Sequence, residues 1–250
     1  GLQQFLDAHI PGAIHADLDH DLSAHGTADA ASGGRHPLPR REVLAQWLRQ
    51  IGLRTDTQVV VYDRNGLNFC GRLWWMLKWA GHEAVAVLDG GLAAWMASGG
   101  AVESGPATPR APSDWTLQPP LRELVTAADV LAHLDQPDQT LIDARAAPRY
   151  RGEVEPLDPV AGHIPGALNR PFGLNLDEQG RFKPAATLRA EFEALLAGRD
   201  PASVVHQCGS GVSALPNLLA MEVAGFAPTR LFAGSWSEWC RDPSRPVAKG

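Results

Sequence analysis

Residues 203–213 read Ser-Val-Val-His-Gln-Cys-Gly-Ser-Gly-Val-Ser, and residues 59–63 read Val-Val-Val-Tyr-Asp. Each is a short apolar run that stops at a polar residue, the pattern of a buried strand entering a turn. Asp63 and Cys208 lie 145 residues apart. Two further pairs repeat in the same order. His9-Ile10-Pro11-Gly12-Ala13 recurs as His163-Ile164-Pro165-Gly166-Ala167. Leu88-Asp89-Gly90-Gly91-Leu92-Ala93-Ala94-Trp95 answers Phe232-Ala233-Gly234-Ser235-Trp236-Ser237-Glu238-Trp239. Three matches in one order mean a duplicated unit.

Around these anchors the pattern alternates. Helical periodicity runs over 40–51, 67–80, 188–196 and 215–224, and Thr126-Ala127-Ala128-Asp129 reads as a helix start. Strands are expected at 59–62, 140–143 and 203–206. Such alternation predicts an α/β fold, with mainly parallel sheets flanked by helices. The segment 102–120 holds five prolines and little apolar periodicity, so it is neither helix nor central strand. The expected division is a first domain over 1–105, a linker over 106–120 and a second domain over 121–250. The first half opens just before His9-Ile10-Pro11, without a strand to match 140–143. The chain begins with Gly rather than Met, so residues upstream are expected.

Composition narrows the function. The 250 residues are 44% hydrophobic and 20% charged, with a net charge of −6. That supports packed cores and argues against nucleic-acid binding, which favours basic chains. No apolar run is long enough to span a membrane. The three cysteines, Cys70, Cys208 and Cys240, lack paired spacing, so neither a disulfide scaffold nor a zinc site is expected, and the reducing cytoplasm is the default compartment. Cys70 reads as packing, and Cys240 as a thiol open to oxidation if exposed. His9 and His163 read as loop-holding groups, and Gly12 and Gly166 as turn residues needing positive φ.

Cys208 stands apart. It follows a buried strand, precedes a helix, and sits in a loop with Gly209 and Gly211. Glycines let the backbone curl so that the amides of Gly209, Ser210, Gly211, Val212 and Ser213 converge as an anion nest. Such dipoles favour thiolate over thiol, and would hold a persulfide anion equally well. A cysteine phosphatase would need an arginine six positions after the cysteine; Ala214 stands there.

With HIPGA upstream and GSWSEW downstream, CGSGVS resembles the tandem rhodanese-type sulfurtransferases, a resemblance that spans nearly the whole chain. It implies two rhodanese-like domains with the catalytic cysteine in the second only, and Asp63 at the matching place in the first agrees. The loop is similar to that of the 3-mercaptopyruvate branch, rather than to the basic loop of animal-type thiosulfate rhodaneses. By that resemblance, Ser210, His36 and Asp19 form a proton relay beside Cys208. Arg149 corresponds to the substrate-binding arginine, and Trp236 and Trp239 are expected to wall the pocket. One departure stands out. The branch carries a second arginine after Glu-Pro, where this chain has Leu157. Losing one charge-assisted contact costs about 1.5–3 kcal/mol, which leaves thiosulfate open as the donor.

The implied reaction takes sulfane sulfur from 3-mercaptopyruvate or thiosulfate onto Cys208 and passes it to cyanide, a thiol or a thioredoxin-like dithiol, without metal or organic cofactor. The alternatives are a thiosulfate-specific rhodanese and a non-enzymatic persulfide carrier or binding module.

Overall fold

The computed structural model describes residues 1–26 and 28–250. In chain order the first half holds α1 (Leu2–Asp7), α2 (Arg41–Gln50), β1 (Val59–Val61), α3 (Cys70–Trp79), β2 (Val85–Val87) and α4 (Gly91–Ala97). The second holds α5 (Ala127–Ala132), β3 (Thr140–Asp143), α6 (Ala147–Tyr150), β4 (Leu168–Asn169), α7 (Ala185–Leu196), β5 (Val204–Gln207), α8 (Leu215–Val223), β6 (Arg230–Leu231) and α9 (Ser235–Trp239). All strand pairs are parallel: β1 with β2 in one sheet, and the order β4-β3-β5-β6 in the other. The chain is thus α/β in both halves. No helix among the described residues is long and apolar enough to cross a membrane.

β3 and β5 are buried on both faces, which explains their continuous apolar runs. Ile142 and Val204 face α7 and α8, while Leu141 and Val205 face α9. α5 begins at the helix start expected from Thr126-Ala127-Ala128-Asp129, and there Thr126 and Asp129 form a capping box, each side chain bonding the other's backbone amide. α3 begins three residues later than its apolar pattern. Asp63 accepts the amides of Leu67, Phe69 and Cys70, and Leu67 sits at φ 63°, so the helix cannot start until these amides have been turned inward.

The proline-rich stretch is no free tether. Trp115 is 2% exposed and belongs to the first half's core. Ser113 donates through its amide to the Arg49 carbonyl at 3.0 Å and Gln118 to that of Ala80 at 3.1 Å. The segment is extended, yet strapped along α2 and α3.

The two halves share one core. Trp74, Trp75 and Trp79 of α3 belong to the same apolar cluster as Leu215, Leu218 and Leu219 of α8 and Cys208 itself. α3 and α8 approach closely at Gly71, where an added Cβ would lie 2.9 Å from Leu215 Cβ. This contact sets the first half directly against the Cys208 loop.

Candidate functional site

Cys208 ends β5 and is 1% exposed. The loop after it depends on two residues in the left-handed region. Gly211 has φ 72°, and a Cβ there would collide with the Ala233 carbonyl. Ser235 has φ 54° without being glycine. Its hydroxyl accepts the Cys208 amide at 3.1 Å and donates to the Phe232 carbonyl at 2.9 Å, two bonds that offset the strain. The Trp236 and Ser237 amides then donate to the carbonyls of Cys208 and Gly209 at 3.0 and 2.9 Å. The loop's outward carbonyls are therefore occupied.

Its amides are not. Among the described residues, no acceptor meets the backbone N–H groups of Gly209, Ser210, Gly211, Val212 and Ser213, although Gly209 to Val212 are buried. Buried amides nearly always find partners. Five in succession follow Cys208, and their open hydrogen-bonding capacity is what an anion nest would require.

Three side chains gather over it from both halves. Ser210 Oγ lies 2.7 Å from His36 Nδ1, and His36 Nε2 lies 3.5 Å from Asp19 Oδ1. The same Asp19 oxygen meets His25 Nε2 at 3.2 Å. Burial is the main cause that holds the His36 imidazole below its ordinary pKa, with the Arg72 charge adding to it. The ring is thus neutral near pH 7, the state a general base needs.

Arg149 sits at the end of α6. Its Nε and Nη2 reach Glu155 at 3.2 and 2.6 Å, and Nη2 also reaches Asp158 at 3.3 Å. A second guanidinium, Arg35, joins it by pairing with Asp158 through Nη1. The remaining nitrogens of both point at the loop. A Cβ on Gly209 would lie 3.0 Å from Arg35 Nη2 and 3.5 Å from Arg149 Nη1. Leu157, by contrast, is 60% exposed. A second guanidinium thus reaches the loop from the other domain, one residue before His36.

The sequence-based reading placed His36 and passed over its neighbour, because Arg35 gains meaning only once the halves meet. The Ser32–His36 segment is fitted against α9. The Gly33 amide donates to Glu238 at 3.1 Å and the Arg35 amide to Ser237 Oγ at 2.9 Å. A Cβ on Gly34 would lie 2.6 Å from the Gly234 carbonyl oxygen.

Several neighbours are structural. Arg145 is buried between Asp143, Glu155 and the Gly162 carbonyl. Arg151 pairs with Glu153 at the surface. Trp236 and Trp239 are fully buried core residues that bond the Val160 and Pro246 carbonyls; they do not wall an open pocket, because the left-handed turn at Ser235 drives α9 into the sheet. Cys240 is buried as well, and burial raises its thiol pKa, which removes the exposure its oxidation requires. His9 and His163 hold loops as expected. Their Nδ1 atoms meet the Phe5 and Tyr150 carbonyls, and their rings stack on the same residues at 3.9 and 3.8 Å. Gly12 and Gly166 have φ 77° and 75°.

Comparison with known proteins gives a consistent answer. The family model described as Rhodanese-like domain matches twice, at residues 2–98 and 126–242. A "Probable 3-mercaptopyruvate sulfurtransferase" of Pseudomonas aeruginosa is 51% identical over 100% of this chain and 87% of its own length. A "Putative thiosulfate sulfurtransferase SseB" of Mycobacterium tuberculosis is 42% identical over 100% of this chain and 86% of its own length. Among solved structures, the Escherichia coli 3-mercaptopyruvate sulfurtransferase SseA aligns at TM-score 0.77 with 35% identity, covering 95% of this chain and 86% of that one. Tum1 of Saccharomyces cerevisiae aligns at TM-score 0.84 with 27% identity, over 98% and 85%.

Proposed function

This chain belongs to the tandem rhodanese-like sulfurtransferase family, and from that premise we propose that it takes sulfur from 3-mercaptopyruvate by means of a centre shared between its two domains. The observation that carries the choice of donor is the 2.7 Å contact between Ser210 and His36 across the domain boundary.

The Cys208 thiolate attacks the donor's outer sulfur. With mercaptopyruvate, the S–S bond forms as the carbon–sulfur bond breaks, and the electron pair leaves on carbon as the pyruvate enolate. The donor's thiol proton ends on that carbon, which gives pyruvate and leaves the persulfide as an anion. Neutral His36, steered by Asp19, accepts the Ser210 proton through Nδ1 as Ser210 takes the donor's thiol proton, and the relay then runs in reverse to deliver a proton to the enolate carbon, which leaves His36 neutral again. The unspent nitrogens of Arg35 and Arg149 fork onto the donor carboxylate. The amides of Gly209, Ser210, Gly211, Val212 and Ser213 hold the negative sulfur.

Thiosulfate needs less of this apparatus. Its leaving group, sulfite, departs with its own charge, so no proton has to be moved. The second half-reaction returns Cys208 to thiolate as cyanide or a thiol takes the outer sulfur. A thioredoxin-like dithiol is a further proposed acceptor. Three buried thiols suit the reducing cytoplasm proposed as the compartment.

The test is steady-state sulfur transfer to cyanide with each donor. Ser210→Ala and His36→Ala are expected to lower kcat/KM for mercaptopyruvate by about 100-fold, and to leave thiosulfate within a few fold. Equal losses with both donors, or none with either, would contradict the relay.

A further inference from the structure

Arg72 is a buried charge that this mechanism leaves unused. It lies on α3 of the first domain and is 0% exposed. Its guanidinium donates to three carbonyls: Gly211 of the Cys208 loop at 3.1 Å, Leu22 at 3.1 Å and His36 at 2.8 Å. Its Nε has no acceptor. The other two buried arginines each have a carboxylate, Arg145 with Asp143 at 2.7 Å and Arg170 with Glu191 at 2.6 Å. Among the described residues, none pairs with Arg72. Carbonyls solvate a cation but bring no opposite charge, and a cation left unbalanced in a core is costly.

We propose that the anion balancing Arg72 is the sulfur of Cys208, first as thiolate and then as persulfide. The first domain, with Asp63 at its own loop, would thus supply the fixed positive charge for the chemistry of the second. The inference rests on Cys208 as the sulfur carrier. The fold puts the charge in place: the Gly71–Leu215 approach brings α3 against the start of α8, so the next residue, Arg72, reaches the loop that feeds that helix. Burial lowers the guanidinium pKa to about 10, and the one group acting in the other direction is the Cys208 sulfur. The same charge disfavours protonation of His36. One cation therefore serves both the nucleophile and the base.

The test uses the donor-free full chain. The rate of Cys208 alkylation by iodoacetamide at pH 7, followed by intact mass, is compared in wild type, Arg72→Met and Arg72→Lys. Because only thiolate reacts, Arg72→Met is expected to be slowed by about 10-fold or more. Arg72→Lys keeps the charge but loses the three-carbonyl fork, and is expected to recover most of the rate. Folded Arg72→Met alkylating at the wild-type rate would overturn the proposal, as would Arg72→Lys matching Arg72→Met, since a mere strut fails in both.

If Arg72→Met does not fold, wild type and Cys208→Ser decide. The charged or titratable groups around the loop are Arg72 from α3, Arg35 and His36 from the Ser32–His36 segment with Asp19 beside it, Arg149 with its partners Glu155 and Asp158, Glu238 from α9 and His206 from β5; all are common to both proteins. Only wild type can place an anion beside Arg72. Its Tm advantage is expected to widen from pH 6 to pH 9, since a native state that binds fewer protons gains stability as pH rises. A constant difference would overturn the proposal. Failure of wild type to gain sulfur on Cys208 would instead defeat the functional reading.

Discussion

The loops at Asp63 and Cys208 share one backbone plan and differ in what fills them. Each follows a strand, β1 or β5, and each is held from behind by a residue at positive φ, Gly91 at 58° or Ser235 at 54°. The Leu92 amide reaches the Asp63 carbonyl at 3.1 Å, as the Trp236 amide reaches that of Cys208 at 3.0 Å. In the first loop, the carboxylate of Asp63 accepts four of its own loop's amides, from Asn65, Leu67, Phe69 and Cys70, at 2.7–3.1 Å. In the second, the shorter cysteine leaves five amides without an acceptor. One cradle is filled by its own side chain; the other leaves its amides open, which suits the sulfur anion proposed for it. Duplication produced two cradles, and the side chain at the head of each decides whether its amides are already occupied.

The cleanest way to break this comparison is to exchange the side chains. Cys208→Ser is expected to abolish transfer from both donors. Adding Asp63→Cys to that variant is expected not to restore it: Phe5 stacks on His9 as Tyr150 stacks on His163, which sets Gln4 where the second domain has Arg149, and among the described residues no Ser–His hydrogen bond lies at the first loop. Cyanide-coupled assays of single and double variants check both outcomes.

Next in size is the cost of emptying the first cradle. Asp63→Ala strands amides at four positions, and should lose about 2 kcal/mol or more of stability in urea unfolding. Folded protein should retain its mercaptopyruvate kcat/KM, since Asp63 serves structure alone. Loss of turnover without loss of stability would contradict that division.

The strands beneath the loops offer a smaller contrast. Val61 of β1 aligns with His206 of β5, which is fully buried with neither ring nitrogen bonded. Burial lowers its pKa to about 3. The unfolded chain takes up a proton near pH 6.5 and the folded one does not. Its protonation therefore has no effect on stability above that pH, and removes stability as pH falls from 6.5 towards 3, by about 1 kcal/mol per unit. His206→Val should flatten the acid limb of Tm against pH. An unchanged limb would show that His206 plays no part in it.

The mildest change concerns the shared arginine pair. Arg35→Lys keeps the charge but loses the fork. It should raise KM for mercaptopyruvate by roughly 5-fold to 10-fold, with kcat nearly unchanged. A fall in kcat at constant KM would place Arg35 in the chemical step instead of in binding.

Much of this was legible in the sequence because the informative features are local. The strand–Cys–Gly–x–Gly turn, the repeated HIPGA and the helix start at Thr126 each fit within a few residues, and local sterics decide them. The grouping of Asp19, His36 and Ser210 was legible only through resemblance, since its members meet across two domains. Arg35 and Arg72 were missed for the same reason. Nothing near either in the chain distinguishes it from a solvated surface arginine; burial against Gly209 or Gly211 does, and that is a property of the docked pair. Trp115 was hidden among prolines. Trp236 and Trp239 were assigned to a pocket because the pattern did not reveal the left-handed turn at Ser235, which buries them.

The most direct test of the central claim is peptide-resolved mass spectrometry after brief exposure to 3-mercaptopyruvate. The account predicts one added sulfur, about 32 Da, on Cys208 alone, removed by cyanide, with Cys70 and Cys240 unmodified. Sulfur on Cys70, in the loop that Asp63 already fills, or none on Cys208, would contradict it.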